Sequence, residues 1–309
     1  MTGLRAHAAD YLELRRGLGY KLSGEGRLLF DFVAFTEKTA ATTITTAAAV
    51  AWANDTTGSS QAYLARRMRV VRTFARYVQA FDPTIEVPAA DLFPAGKHRP
   101  TPYIYSQADV AALMAAARGL RPPLQAATFE TLIGLLAATG MRVGEAMALD
   151  DGDIDWDEAL LVVRQTKFNK TREVLLHTST LDALAAYRKT RNHLSATSAT
   201  ASFFVTTRGT PLTHSVIQPV FRRLAAQAGL DRPASTSRPH VHGLRHTFAV
   251  NTLLDWSADG ENVSARMPLL STYLGHSCPA ATYWYLSAVP ELLAIAAARL
   301  DCHDSRRRP

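Results

Sequence analysis

Two stretches carry most of this chain's meaning: His242-Gly243-Leu244-Arg245-His246, and Leu274-Gly275-His276-Ser277-Cys278-Pro279-Ala280-Ala281-Thr282-Tyr283-Trp284-Tyr285. In a helix His242 and Arg245 stand at i and i+3, share a face and can bracket one anion. His276 and Tyr285 follow, nine residues apart. A tyrosine near two histidines and an arginine is what metal-free attack on a phosphodiester needs. Guanidinium groups offset the phosphate charge, imidazoles hydrogen-bond it, and the phenol is the nucleophile. A metal reading competes, because His242 and His246 have i,i+4 ligand spacing and Cys278 follows His276. It lacks a carboxylate between the histidines, and an arginine is a poor neighbour for a cation. We therefore assign no metal ligand and expect no cofactor.

Working back along the chain, Thr139-Gly140-Met141-Arg142-Val143-Gly144-Glu145 has the form of a helix end. Gly140 permits a tight turn, Arg142 follows it, and Glu145 lies one helical turn beyond. Read in isolation, Arg142 and Glu145 are a structural ion pair. Lys167 comes 25 residues after Arg142, at the tip of an expected hairpin. A turn lysine is ordinarily just solvated. Against DNA, an ammonium on such a tip can reach a leaving oxygen and protonate it, provided nearby cations lower its pKa.

The formal charge of +7 on 309 residues, with a pI near 9.6, makes a polyanion the natural partner, although a basic enzyme with no nucleic-acid role would carry the same charge. A hydrophobic fraction of 47% is ample for a core and, with 20% charged residues, excludes a disordered chain. Residues 1–7 lack a secretory signal pattern, and residues 124–136 are too short to cross a bilayer and contain Glu130. The two cysteines, Cys278 and Cys302, have no framework spacing and read as reduced thiols. A cytoplasmic protein without membrane association is the expectation.

The pattern is mainly α. Residues 4–14, 26–36, 46–54 and 60–81 show apolar positions at helical spacing. In the last of these, Leu64, Met68, Val71, Phe74, Ala75 and Val78 form an apolar stripe. We place Arg66, Arg67, Arg69, Arg72 and Arg76 on the remaining surface as phosphate contacts rather than a merely solvated face. Pro94, Pro100 and Pro102 bracket Lys97, His98 and Arg99 and mark an extended basic connection. The expected organisation is a helical domain over 1–95, a linker over 96–104 and a second domain over 105–309. The second domain opens on a helix capped by Ser106 with Asp109 in a capping-box position. Residues 155–163 and 173–176 read as strands flanking the Lys167 turn, and 203–206 as one more short strand. Residues 254–267 look longer than a tight connection, and 290–300 form an apolar helix opening at a proline.

Together these features resemble the tyrosine recombinases, the integrase and Xer-type strand-exchange enzymes. Arg142 in Thr-Gly-Met-Arg-Val-Gly-Glu resembles the family's first arginine. Lys167 in Lys-Phe-Asn-Lys-Thr-Arg-Glu-Val resembles its hairpin lysine, with Phe168 where a small residue is common. His242 and Arg245 match the His-x-x-Arg pair, His276 the next His/Trp position, and Tyr285 the nucleophile. Tyr283 competes for that last role, and the nine-residue spacing favours Tyr285.

The resemblance implies a helical, SAM-like core-binding domain followed by a mixed α+β catalytic domain with a small β-hairpin sheet. It implies a site-specific DNA recombinase working through a 3′-phosphotyrosyl intermediate, in integration, excision or resolution. Arg142 and Arg245 would hold the phosphate, His242 and His276 would hydrogen-bond it, His242 would also serve as base, and Lys167 would be the acid. Arg66, Arg67, Arg69, Arg72, Lys97 and Arg99 would bind DNA. The partners would be double-stranded DNA and further copies of the chain, a dimer per site and a tetramer in synapsis through the 290–300 helix. An accessory protein or sister recombinase would fit the same scheme. Neither ATP nor metal would be required. A type IB-like topoisomerase, a non-catalytic DNA-binding accessory protein and a metal-dependent hydrolase are the alternatives.

Overall fold

The computed structural model describes residues 3–39, 43–94, 101–164, 171–195, 200–230, 237–276, 278 and 282–285. Lys97, Arg99, Lys167, Phe168 and the 290–300 segment fall outside these residues. The chain divides into two compact units, Met1–Arg99 and Pro100–Pro309.

The first unit is a four-helix domain: α1 (Leu4–Gly17), α2 (Ser23–Lys38), α3 (Thr46–Asn54) and α4 (Gln61–Val78). Two starts are capped by side chains, Thr45 accepting from the Ala48 amide at 3.1 Å and Ser60 from the Tyr63 amide at 3.3 Å. These bonds satisfy amides that the helix itself leaves without partners. Leu29, Phe32, Trp52, Met68, Val71 and Phe74 form the centre of the core.

Arg67 corrects the expectation for α4. It lies inside the unit, its Nη2 donating to the Trp52 carbonyl at 2.7 Å, its guanidinium carbon 3.8 Å from the Trp52 ring centroid, and Asp31 at 3.6 Å. The reason is periodicity: 64, 67, 71, 74 and 78 recur at steps of three and four, so position 67 belongs to the inward stripe. The arginine is tolerated there because a carbonyl, an aromatic face and a carboxylate meet its charge.

The second unit opens on α5 (Gln107–Arg118), whose capping box is formed by Ser106 and Asp109. Its central helix is α6 (Pro123–Thr139), which has proline in its first turn and a broad buried face. It packs against α5, α8 (Thr178–Leu194) and α10 (Gly243–Ala258). After α6 come the short α7 (Val143–Met147) and a three-stranded antiparallel sheet, β1 (Ile154–Asp155), β2 (Leu160–Val163) and β3 (Arg172–Leu175), in that order. Val163 pairs with Arg172 across the β2–β3 ladder, so Arg172 enters the sheet directly after the 165–170 segment. α9 (His214–Gln227) and α11 (Val263–Leu274) follow, and residues 282–285 are also helical.

Three expectations are revised. The stretch 155–163 is two strands, because the Asp155 carboxylate accepts from the amides of Asp157 and Glu158 and folds the chain into a turn. Residues 203–206 contribute only an isolated bridge, Val205 to Pro211, while Phe203 and Phe204 are core. The α10–α11 connection is tight, spanning only 259–262. Gly260 has a positive φ of 76° there, and Asn262 caps α11. Among the described residues no helix is long and apolar enough to cross a membrane.

Candidate active site

Three arginines from three elements converge on one carboxylate and three backbone carbonyls. Arg142 is the residue that starts α7, and its own amide donates to Glu145 Oε2 at 2.8 Å. Its Nη1 donates to Glu145 Oε1 at 2.7 Å and its Nη2 to the Gly275 carbonyl at 2.7 Å. Arg172, on β3, reaches the same carboxylate through both terminal nitrogens, at 3.0 and 2.7 Å. Arg245, on α10, is 2% exposed and donates to the Gly140 carbonyl at 2.8 Å and the Leu274 carbonyl at 2.6 Å.

Those carbonyls lie where α6 and α11 end. A helix C-terminus leaves carbonyls without partners and carries partial negative charge, so each end is a natural seat for a guanidinium. Both ends are made by glycines in the left-handed region, Gly140 at φ 60° and Gly275 at φ 66°. A β-carbon at Gly140 would sit 2.5 Å from the Phe248 ring, and one at Gly275 would sit 3.0 Å from an Arg172 nitrogen. Conformation favours glycine at both, and close approach to the Phe248 ring adds to it at Gly140.

The electrostatics follow from this crowding. Burial alone would raise the Glu145 pKa, but bonds and charge from Arg172 and then Arg142 outweigh it and hold the carboxyl at about 2. Burial, and next the positive charge of Arg142, lower Arg245 to about 10, which leaves it a cation at neutral pH. Three guanidiniums against one carboxylate leave an excess of positive charge, the arrangement an anionic ligand would complete.

The histidines and the tyrosine lie on the same elements. His242 is exposed at the start of α10, with its ring centroid 4.7 Å from that of His246. His276 follows Gly275, and its Nδ1 is 2.6 Å from Thr282 Oγ1. Tyr285 is 2% exposed, and its hydroxyl is 2.9 Å from His246 Nδ1. The phenol stands near enough to Arg245 that its phenolate form would raise that arginine's pKa. Tyr283, by contrast, is 44% exposed. Among the described residues no three histidine, cysteine or acidic side chains converge as a metal would need.

Arg142, Arg245, His276 and Tyr285 are therefore gathered around the ends of α6 and α11, with His242 one ring away. Lys167 lies outside the described residues. Arg172 was not singled out from the sequence, and His246 was weighed there only as a metal ligand or packing residue, although each left a signal. Arg172 and Val174 alternate inward along β3, and His246 repeats His242 one turn along the same helix face.

The phage integrase family pattern matches residues 105–291, well over half of the chain. This chain belongs to the phage integrase family. That makes it a tyrosine recombinase. It is 39% identical over 307 residues to "Putative integrase/recombinase y4rB" of Sinorhizobium fredii, covering 97% of this chain and 98% of that one. It is 29% identical over 228 residues to tyrosine recombinase XerC of Alcanivorax borkumensis, covering 74% of this chain and 69% of XerC. The solved Tn1549 transposon integrase, bound to transposon right-end DNA, shares the fold with a TM-score of 0.66 at 16% identity, over 96% and 98% of the two chains.

Proposed function

We propose that this tyrosine recombinase cuts and rejoins duplex DNA at specific sites with Tyr285 as its nucleophile. The observation that carries the reading is the Tyr285 hydroxyl bonded to α10 one residue beyond Arg245, itself pinned between two helix ends. The Tyr285 oxygen attacks the scissile phosphorus, and the bond from phosphorus to the 5′ oxygen breaks. The phenol proton passes to an imidazole, and the leaving oxygen takes a proton from Lys167. The products are a 3′-phosphotyrosyl bond and a free 5′-hydroxyl. One ester replaces another, so a 5′-hydroxyl from a second duplex can reverse the step and exchange strands.

Arg142 and Arg245 supply fixed positive charge to the transition state. Each guanidinium has five N–H donors, and the bonds to protein use only part of them. Arg142, at 30% side-chain exposure, is the more open of the two. His242 and His276 hydrogen-bond the phosphate oxygens. In the first unit, Arg69 and Arg76 are exposed on α4 and serve as phosphate contacts. Arg66 lies 3.2 Å from Glu25, and Arg72 donates to the Pro88 and Ala89 carbonyls, so their contribution to DNA binding is smaller. Lys97 and Arg99 keep the role the sequence suggests. Two copies bind each site and four assemble in synapsis.

The test is covalent capture, without added metal, on a pool of nicked duplexes with randomised sites. Adducts that survive denaturant are recovered, the DNA is sequenced and the linked peptide identified by mass. An adduct at Tyr285, lost in Tyr285→Phe, is the expected result. An adduct at Tyr283 would move the nucleophile. Tight DNA binding with no adduct would overturn the catalytic reading.

A further inference from the structure

The side chain bonded to the Tyr285 hydroxyl lies one residue outside the His-x-x-Arg pair. His246 is 7% exposed, and its Nδ1 is 2.9 Å from the phenol oxygen. Consecutive residues on a helix point about 100° apart, so Arg245 and His246 grip different partners. Arg245 takes the ends of α6 and α11, and His246 takes the tyrosine eleven residues beyond that second end. The imidazole is itself held in place, with the His242 ring at 4.7 Å and the Trp284 ring at 5.7 Å, both edge-on. A buried ring wedged between two others presents its nitrogen in one direction.

We infer that His246 is a positioning residue for the nucleophile, holding the Tyr285 phenol at the arginine cluster so that its oxygen is aimed before DNA arrives. The inference rests on Tyr285 being the nucleophile. In this arrangement α10 serves both sides of the attack, since Arg245 helps to hold the phosphate and His246 places the oxygen that attacks it. Holding a reacting atom in place converts lost orientational freedom into rate, and a misplaced phenol would react slowly however well DNA binds.

Two readouts test it with His246→Leu, which fills the space without a polar atom, and His246→Asn, which offers a polar atom near the Nδ1 position. On the free protein, tetranitromethane nitration is mapped by peptide fragmentation, with the exposed Tyr283 as internal reference. In the wild type Tyr285 should be nitrated far less than Tyr283, His246→Leu should raise the Tyr285 to Tyr283 ratio several-fold, and His246→Asn should keep it low. On the nicked duplex recovered by capture, His246→Leu should form adduct about 10–100-fold more slowly at saturating DNA with Kd unchanged. His246→Asn should restore most of the rate. A thermal melt confirms that each variant is folded.

Unchanged nitration, or adduct formed by His246→Leu at the wild-type rate or faster, would overturn the inference. If the wild type itself formed no adduct, the proposed function would fall, and nitration alone would decide whether His246 holds Tyr285.

Discussion

Glu145 receives bonds from Arg142 and Arg172 and is the only carboxylate at the described arginine cluster. Its two guanidinium partners would otherwise repel each other at the ends of α6 and α11. Its folded pKa of about 2 lies below its ordinary 4.5, so its contribution to stability is fully present above about pH 4.5. That contribution is lost as pH falls from there towards 2. The shift corresponds to at most about 3–4 kcal/mol, because each pKa unit is worth about 1.4 kcal/mol. Glu145→Gln should therefore lower stability near pH 7 by about 2–3 kcal/mol and flatten the acid limb of the stability curve. Denaturant titrations at pH 7 and pH 3 on both proteins check this. An equally steep acid limb in the variant would show that another carboxylate governs it.

At the scale of elements, the site is made where helices stop. α6 ends at Gly140 and α11 at Gly275, and the carbonyls they present hold Arg245 and Arg142. Gly140→Ala brings a methyl group to 2.5 Å from the Phe248 ring in a conformation with φ of 60°. We expect a loss of about 2–4 kcal/mol from strain and overpacking together. Adduct formation should slow as well, because the Gly140 carbonyl no longer seats Arg245. Urea unfolding and single-turnover cleavage measure the two effects. The sequence marked this turn through its glycine, and it marked the Ser106 cap. It gave no warning that 155–163 would break in two, because that turn depends on one carboxylate accepting two amides.

Across the whole molecule, the basic residues divide by what surrounds them rather than by their number. Arg67→Ala should destabilise the first unit, since it removes the partner of the Trp52 carbonyl and Asp31, while leaving the salt dependence of DNA binding unchanged. The double variant Arg69→Ala with Arg76→Ala should do the reverse. Each lost phosphate contact reduces the slope of log K against log salt by about 1, so the pair should reduce it by about 2 at unchanged stability. Binding isotherms at several salt concentrations, with thermal melts alongside, separate the two classes. A changed slope for Arg67→Ala would put that side chain at the DNA after all.

The sequence by itself determined the mainly helical architecture, the Ser106 cap that begins the second unit's first helix and the order of residues resembling the tyrosine recombinases. These depend on local periodicity and on motif spacing, both written along the chain. Only the tertiary structure decided which groups meet. Arg172 and Glu145 stand 27 residues apart, Arg245 and the Gly140 carbonyl 105, and His246 and Tyr285 39. A charge pattern does not say which arginine a core will absorb, nor a histidine pair which ring will face the phenol. Packing decides both, because a buried cation or hydroxyl needs a partner and takes the one the fold brings within reach.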